Sequence, residues 1–288
     1  MSSAPVPQNI RMPLPSALAA KARFMRLGRS QVPALVAHPD WSTPAPVLIW
    51  MHGRTVNKEL DNGRYLRLIR AGIAAVALDL PGHGERLIPE YHTGSRSPDM
   101  IAQMVAELNE VIEALTEPPG APDSGHCFDL DRLAIGGMSA GGMCTLRKLC
   151  IPGHGFCCAS IEGTTGDLDT LYRGGPGRPW PVDHDAAKVA AVDPIRHLDG
   201  FAPIPLLALH SEADAVVPFA GQLNFLSTLR AHYTSRGSDP GLIEVKTWPT
   251  TGAPQEHNGF GRVAAEAKTA QVEFLTRWLK PTPPTEAI

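Results

Sequence analysis

From residue 47 to residue 279, short apolar runs alternate with segments whose apolar residues recur at helical spacing. The run VLIWM at 47–51 is continuous, as in a strand that is buried on both faces. Strands that alternate with helices form right-handed βαβ units around a mostly parallel sheet. The predicted strands are 47–51, 73–78, 133–135, 156–161, 205–210 and 243–248, and the predicted helices are 60–70, 97–116, 140–149, 219–232 and 262–279. The pattern predicts an α/β fold with helices on both faces of the sheet.

Two short apolar segments on either side of Gly28 precede this alternation. They predict a hairpin ahead of the first buried strand. We assign one domain to residues 21–280, with an extended lead-in at 1–20, an insert at 162–200 and a flexible tail at 281–288. The insert is rich in Gly, Pro and Asp, so we expect either a small lid or a long surface excursion there.

The composition is that of a globular protein, with 43% hydrophobic and 19% charged residues in a chain of 288. The net charge of −3 provides no basic surface for nucleic acid and no polybasic patch for a membrane. The apolar runs are far shorter than the roughly 20 residues that span a bilayer. We therefore expect neither a nucleic-acid partner nor a membrane association. The oligomeric state stays open, with a homodimer as one option.

The five cysteines include no C-x-x-C pair. Such cysteines are typical of small buried thiols in a reducing compartment, and the N-terminus lacks the pattern of a signal peptide. We therefore expect a cytoplasmic protein. The histidines lack the spacing of metal ligands, and neither G-x-x-x-x-G-K-[ST] nor a G-x-G-x-x-G after the first buried strand occurs. We expect no metal and no nucleotide cofactor.

Residues 137–141 read GMSAG, a G-x-S-x-G pattern centred on Ser139. The pattern directly follows the predicted strand 133–135 and opens the predicted helix 140–149, which is the strand–turn–helix context of a nucleophilic serine. Small residues at 137 and 141 permit the tight turn, and the N-terminus of the helix favours negative charge nearby. Ser139 is therefore the candidate nucleophile, and a serine in an ordinary glycine turn is the structural alternative.

A nucleophilic serine needs a base, and the base needs an acid that orients it. Asp214 follows the predicted strand 205–210 within HSEADAVVP, and His257 lies in QEHNGF, between the last strand and the last helix. The chain order Ser139, Asp214, His257 is the order expected for this topology. The alternatives are Glu212, Asp167 and Asp169 for the acid, and His210 and His83 for the base.

The turn HGR after the first buried strand can direct the backbone N–H of Arg54 towards a substrate carbonyl. Together with the N–H of Ala140 it would form an oxyanion hole. The candidates for the pocket are His52, Glu85, Arg86, Met138 and Glu162. Glu85 and Arg86 either bind an acidic substrate group or form a solvated ion pair. The aromatic residues that either cover the acyl pocket or anchor a loop are Tyr172, Trp180 and Phe201.

Together these segments resemble the α/β-hydrolase superfamily, with HGR after one strand, DLPGHGER after the next, GMSAGG at the turn, and then LHSEADAVVP and EHNGF. Over about residues 47–279 the chain is similar to compact serine hydrolases of the dienelactone-hydrolase and prolyl-oligopeptidase-like group. The resemblance implies an eight-stranded, mostly parallel sheet and hydrolysis of carboxylic esters through an acyl-serine. Dienelactone hydrolases carry a cysteine where this chain has Ser139, and we find no sequence for the propeller that prolyl peptidases carry.

We therefore predict a cofactor-free serine esterase that acts on a small-molecule ester with a short acyl group. Ser139 is the expected nucleophile, His257 the expected base and Asp214 the expected acid. The alternatives that use the same three residues are amide or peptide cleavage, thioester cleavage and acyl transfer. A non-catalytic binding module on the same fold is a further alternative.

Overall fold

The structure, a computed structural model, describes residues 13–117, 127–173 and 182–280. Its strands are β1 (Ala22–Leu27), β2 (Val32–Ala37), β3 (Ala45–Met51), β4 (Ala74–Leu78), β5 (Phe128–Met138), β6 (Cys158–Glu162), β7 (Leu206–Ser211) and β8 (Ile243–Trp248). They form one sheet in the order β1-β2-β4-β3-β5-β6-β7-β8. Strands β1 and β2 pair antiparallel with their neighbours, and β3 to β8 are parallel to one another. This confirms the predicted eight-stranded, mostly parallel sheet.

The α-helices of these residues are α1 (Ser16–Ala19), α2 (Asn62–Arg70), α3 (Ser97–Ala114), α4 (Ala140–Leu149), α5 (Leu168–Tyr172), α6 (Ala186–Val192), α7 (Phe219–Ser235) and α8 (Ala264–Leu279). Helices α2 and α8 pack on one face of the sheet, and α3, α4 and α7 pack on the other. Within the described ranges, no helix is long and apolar enough to cross a membrane.

The central strand β3 explains why the sheet carries helices on both faces. All seven of its residues are buried, and successive side chains of a strand point to opposite faces. Val47, Ile49 and Met51 belong to the core beneath α3, α4 and α7, whereas Leu48 and Trp50 belong to the core beneath α2 and α8. A continuous apolar run is therefore needed, because neither face is open to water.

Strand β5 is much longer than the predicted 133–135. Its first part, Phe128 and Asp129, pairs with Ala45 and Pro46 of β3, and the register then shifts between Pro46 and Val47. The polar residues of this irregular part hide the strand pattern in the sequence, because they do not continue the apolar run that marks a buried strand. All five cysteines are free, and four of them are buried.

The predicted insert at 162–200 contains α5 and α6, which are joined through the buried Asp193. Its carboxylate accepts hydrogen bonds from the N–H groups of Leu168 and Asp169 at the start of α5. Asp185 caps α6 by accepting from Ala187 and Lys188. Trp180, the tail at 281–288 and much of the lead-in lie outside the described residues. The division of the chain into lead-in, domain, insert and tail stays a prediction.

A buried polar network crosses the core beneath α2 and α8. Arg64 of α2 makes a two-pronged ion pair with Glu162 at the end of β6, at 2.7 Å (Nη1–Oε1) and 2.8 Å (Nη2–Oε2). The Arg64 guanidinium also lies 3.9 Å from the ring centre of Trp50 and donates to Gln271 of α8. Gln271 in turn donates to the hydroxyl of Ser160 at 3.1 Å. The network therefore joins two helices to the sheet without leaving these charges uncompensated.

We expect Arg64→Met to lower the free energy of unfolding by about 3–5 kcal/mol, because it leaves the Glu162 carboxylate buried without its partner. The double variant Arg64→Met/Glu162→Gln should recover a large part of that loss. Urea unfolding followed by circular dichroism measures both effects.

The matched control is Arg277→Met on α8, which breaks an exposed ion pair with Glu244. Exposed pairs contribute about 0–1 kcal/mol, so this variant should stay close to the wild type. Equal destabilisation by Arg64→Met and Arg277→Met would contradict the interpretation.

Candidate active site

Ser139 lies in a sharp turn between β5 and α4. Its backbone has φ 50° and ψ −117°, a conformation that L-residues rarely adopt and that costs about 1–3 kcal/mol. A Cβ atom at Gly137 would lie 2.4 Å from the carbonyl carbon of Gly141, and one at Gly141 would lie 2.2 Å from the carbonyl oxygen of Met51. Glycine is therefore required at both positions, as the G-x-S-x-G pattern predicts.

The three residues predicted as nucleophile, base and acid lie together. His257 Nε2 is 2.9 Å from Ser139 Oγ, and His257 Nδ1 is 2.7 Å from Asp214 Oδ2. The other carboxylate oxygen of Asp214 accepts from the N–H groups of Val216 and Val217, at 2.8 Å each. Since an ionised carboxylate can only accept, Nδ1 carries the imidazole proton and Nε2 faces the serine hydroxyl as an acceptor.

The alternative acids and bases have other partners. Glu212 accepts from Thr247, Asp167 caps α5 and accepts from Asn224, and Asp169 pairs with Arg173. His83 is buried and contacts the carbonyl of Pro81. His210 is buried beside Asp214, and its Nε2 lies 3.5 Å from Asp214 Oδ2. The same Nε2 is hydrogen-bonded to the carbonyl of Val217. None of these residues has a hydrogen bond to Ser139 or to His257 in the described part of the chain.

Glu256 holds the loop that carries His257. Its carboxylate accepts from the hydroxyl of Ser211 at the end of β7 and from the N–H and hydroxyl of Thr251. It also accepts from the N–H of Gly252 at 2.8 Å. These donors, above all the Thr251 N–H, lower the pKa of Glu256 to about 2. The loop needs such support because Gln255 and Glu256 both have positive φ, at 55° and 52°.

The backbone after β3 passes beside Ser139, as the oxyanion-hole prediction requires. A Cβ atom at Gly53 would lie 3.5 Å from Ser139 Cβ. His52 fixes this turn, because its Nδ1 bonds to the Gly53 carbonyl at 2.6 Å and its Nε2 accepts from Leu80 N–H at 3.1 Å. Ala140 is the first residue of α4, so its N–H is among those that the helix leaves without an internal partner.

Two cavities meet at Ser139 and His257. The larger one has a volume of about 450 Å³ and the smaller one about 170 Å³. The larger cavity is lined by Gly53, Arg54, Thr55, Val56, Leu60, Asp61, Arg64, Met138, Ser139, Glu162, His257, Asn258, Gly259, Phe260, Ala264 and Lys268. The smaller cavity is lined by Arg54, Thr55, Ser97, Ser139, Ala140, Met143, Tyr172, Val216, Val217, Gln255, His257 and Asn258. A substrate can thus occupy both sides of the serine hydroxyl.

The five residues predicted for the pocket have different positions. Met138 and Glu162 line the larger cavity, whereas His52, Glu85 and Arg86 line neither of the two cavities. His52 instead holds the turn at Gly53. Glu85 pairs with Lys58 and Arg26, each at 2.8 Å, and Arg86 pairs with Glu107 at 2.7 Å and donates to the carbonyls of Asp79 and Leu80. These contacts of Glu85 and Arg86 join neighbouring loops.

The aromatic residues considered for the pocket have different positions. Tyr172 lines the smaller cavity, where its hydroxyl donates to Met143 Sδ at 3.2 Å. Phe201 is buried and packs beside Tyr233, so it anchors a loop. Sequence reasoning missed Arg64, Met143 and Lys268, which lie on helices and follow the ordinary pattern of helical residues. No sequence signal separates them from core or surface positions.

Burial shifts the pKa of two charged groups around the cavities. It raises the pKa of Glu162, although the Arg64 guanidinium opposes that shift. It lowers the pKa of the half-buried Arg54 guanidinium. Within the described part of the chain, no three His, Cys, Asp or Glu side chains are grouped so that they could hold a metal ion.

Comparisons with known proteins place this geometry in a family. The sequence model of the prolyl oligopeptidase family matches residues 121–282, which is more than half of the chain. Esterase YjfP of Escherichia coli (strain K12) is 27% identical over 199 residues, which cover 66% of this chain and 77% of the relative.

Two solved structures show the same fold at low sequence identity. Pyrococcus horikoshii acylaminoacyl peptidase superposes with a TM-score of 0.68 at 16% identity, over 93% of this chain and 43% of that chain. Thermogutta terrifontis esterase 2, phosphonylated by sarin, superposes with a TM-score of 0.64 at 15% identity, over 93% of this chain and 99% of that chain. The described sheet and helices are thus those of the α/β-hydrolase fold.

The pH dependence of stability tests the role of Glu256. Its pKa of about 2 in the folded chain lies below the ordinary value of 4.5, so its carboxylate contributes stability above pH 4.5 that is lost as the pH falls towards 2. We expect Glu256→Gln to have a lower Tm than the wild type at pH 7. The difference should narrow between pH 4.5 and pH 2.

The control for this experiment is Glu113→Gln, at an exposed position of α3. It should change the Tm by the same small amount at every pH. A Tm difference between wild type and Glu256→Gln that stays constant down to pH 2 would show that the carboxylate does not support the loop.

Proposed function

The chain belongs to the prolyl oligopeptidase family and is a serine hydrolase, and we propose that it cleaves carboxylic esters through an acyl-serine intermediate. The observation that carries the proposal is the unbroken hydrogen-bonded chain from Ser139 Oγ through His257 to Asp214, at 2.9 Å and 2.7 Å. This series of hydrogen bonds ends at the hydroxyl of Ser139, a residue that lines both cavities. A serine with a purely structural role needs neither the hydrogen bonds to His257 and Asp214 nor the adjoining cavities.

The reaction follows from this arrangement. His257 Nε2 accepts the proton of Ser139 as Oγ attacks the ester carbonyl, and Asp214 stabilises the imidazolium that forms. The backbone N–H groups of Ala140 and Arg54 are proposed to bind the oxyanion. The tetrahedral intermediate collapses when His257 gives its proton to the leaving alcohol. Water, deprotonated by the same imidazole, then releases the acid and restores the serine.

The smaller cavity supports a short acyl group. A cavity of about 150 Å³ holds a benzene molecule, so the 170 Å³ beside Ser139 accommodates a group of about six non-hydrogen atoms. We place the acyl group there because Ala140, a proposed oxyanion donor, lines only this cavity. The leaving alcohol then occupies the larger cavity, whose apolar wall includes Leu60 and Phe260.

Amide cleavage is the second candidate, and the peptidases of the family favour it. The same three residues can act on an amide, provided that His257 protonates the amine as it leaves. Matched ester and amide substrates with the same acyl group separate the two. We expect a higher kcat/KM for the ester, and a higher value for the amide would make the enzyme an amidase.

Ser139→Ala tests the nucleophile. Labelling with a fluorophosphonate should place the adduct on the peptide that contains Ser139, and the variant should take up no label. Hydrolysis of p-nitrophenyl acetate should fall by about 10⁴-fold or more, since the acyl-serine cannot form. Circular dichroism should show that the fold is kept.

Ser235→Ala, at an exposed position at the end of α7, serves as the control and should keep both labelling and turnover. An adduct on another residue, or a Ser139→Ala variant with wild-type turnover, would refute the proposal.

Met143→Ala tests the placement of the acyl group. Removing the Met143 side chain enlarges the smaller cavity, so we expect the ratio of kcat/KM for p-nitrophenyl hexanoate over acetate to rise by about tenfold. The variant should also lose about 2–5 kcal/mol of stability, because Met143 is buried.

Met104→Ala is the matched control, since Met104 is equally buried in the same core but lines neither of the two cavities. It should lose stability without a change in the chain-length ratio. If both variants change that ratio alike, the acyl group does not lie against Met143.

A further inference from the structure

The larger cavity is lined by an ion pair whose two charged groups make no direct hydrogen bond. Lys268 Nζ lies 3.8 Å from Asp61 Oδ1, and both residues line the cavity, with 25% and 17% of their side-chain surfaces exposed. A direct hydrogen bond between an ammonium and a carboxylate would bring the two atoms to about 2.7–2.9 Å. Within the described part of the chain, Lys268 Nζ makes no such bond. The two groups therefore face each other at a distance that one further polar atom can bridge.

A more exposed lysine of the same chain does make the direct bond. Lys246 Nζ lies 2.7 Å from Glu266 Oε1, although both side chains are more exposed than those of Lys268 and Asp61. Exposure to water weakens the attraction between opposite charges, so weak attraction does not explain the wider separation in the cavity. The separation follows instead from the positions of α8, which carries Lys268, and of the segment that precedes α2.

One carboxylate oxygen of Asp61 faces Lys268, and the other is bound elsewhere. Oδ2 accepts from the indole N–H of Trp50 at 3.3 Å and lies 3.5 Å from Arg64 Nε. An aspartate at the start of a helix usually accepts from the first N–H groups of that helix, but the Asp61 side chain makes no such bond to α2. Oδ1 can therefore accept a hydrogen bond from a group that lies between it and Lys268.

Two pairs of opposite charge line the larger cavity. Arg64 forms the buried ion pair with Glu162, and Lys268 faces Asp61. Arg54 also lines the cavity, and its Nη1 donates to a backbone carbonyl at 2.8 Å. A substrate carboxylate beside Lys268 would be repelled by Asp61, and a substrate ammonium beside Asp61 would be repelled by Lys268. A hydroxyl group meets neither repulsion, because it is neutral and can both donate and accept.

We propose that Asp61 and Lys268 form a hydroxyl-binding subsite for the leaving alcohol, in which one oxygen accepts from the Lys268 ammonium and donates to the Asp61 carboxylate. Two atoms 3.8 Å apart can both lie within hydrogen-bond distance of such an oxygen. This inference rests on the proposed ester hydrolysis and names its substrate class, the short-acyl monoesters of diols and polyols. The side chains of Leu60 and Phe260, which line the same cavity, would contact the carbon chain of the alcohol.

Hydroxyalkyl acetates and alkyl acetates of equal size provide the test. 4-Hydroxybutyl acetate is compared with pentyl acetate, and 6-hydroxyhexyl acetate with heptyl acetate, so that the hydroxyl group is offered at two distances from the scissile bond. Hydrolysis is followed by proton NMR at pH 7.5. In at least one pair, we expect the wild-type kcat/KM of the hydroxyalkyl ester to exceed that of the alkyl ester by about tenfold or more. The ratio is taken within each protein, so a general loss of activity does not affect it.

Variants of the two residues assign this ratio to the subsite. Lys268→Met removes the donor at similar side-chain length, and Asp61→Asn removes the negative charge. Each should lower the ratio by about tenfold, which corresponds to the loss of one hydrogen bond to a charged group. The double variant should lower it by less than the product of the two single effects, because one hydroxyl group binds both residues.

Lys246→Met is the matched control. It breaks the exposed ion pair with Glu266, and Lys246 lines neither of the two cavities. Its ratio should equal that of the wild type. Thermal unfolding confirms that each variant is folded.

The outcomes separate this inference from the proposed function. A wild type that hydrolyses the members of both pairs at equal kcat/KM, or prefers the alkyl esters, overturns the hydroxyl subsite and leaves the esterase proposal in place. A ratio that stays unchanged in Lys268→Met and Asp61→Asn does the same. If none of the four esters is hydrolysed, the esterase proposal fails for these substrates, and binding to Ser139→Ala then tests the subsite.

In that binding experiment, ligand-observed NMR measures the Kd of the same four esters. In at least one pair, we expect the Kd of the hydroxyalkyl ester for Ser139→Ala to be about tenfold or more below that of the alkyl ester. The difference should be lost in Ser139→Ala/Lys268→Met. Equal binding within both pairs, or tighter binding of the alkyl esters, would overturn the subsite.

Discussion

The strained turn at Ser139 is the constraint on which the rest of the site depends. The backbone can enter this conformation only because Gly137 and Gly141 leave room for α4 to approach β5 and β3. Two bonds then hold it, from Ser139 N–H to the Glu162 carbonyl at 2.8 Å and from the Thr164 hydroxyl to the Ser139 carbonyl at 2.8 Å. The serine hydroxyl is thereby presented at the sheet edge, where the Asp214 and His257 loops reach it.

Each loop around the turn is held by a charged or polar group of its own. His52 fixes the turn after β3, Glu256 fixes the His257 loop, and two N–H groups fix Asp214. The Arg64 ion pair holds the strand end that accepts from Ser139. Loops lack the regular hydrogen bonds of helices and strands, so side chains have to supply the missing partners. The positioning of the three proposed catalytic groups depends on these supports.

The sequence was sufficient to predict that residues following parallel strands lie close together, because a parallel sheet brings the carboxyl ends of its strands to one edge. Ser139, Asp214 and His257 could be predicted in this way. Glu85 and Arg86 also follow a strand, but Glu85 forms a partly buried ion pair with Lys58 and Arg86 pairs with Glu107, and no local pattern reveals these partners. Met143 and Lys268 face the cavities from helices, where their spacing is that of ordinary core and surface residues. Helical residues become recognisable only once the packing of the helices is known.

Arg54 connects the two halves of the proposed chemistry. Arg54 lines both cavities, in which we place the acyl group and the leaving alcohol, and it follows Gly53, which passes beside Ser139. A substrate that fills both cavities would be held on both sides of its scissile carbonyl, which reduces its motion. Binding energy from a group that does not react would then orient the group that does. Family membership alone does not determine the substrate, so the walls of these two cavities are where we expect this chain to distinguish one substrate from another.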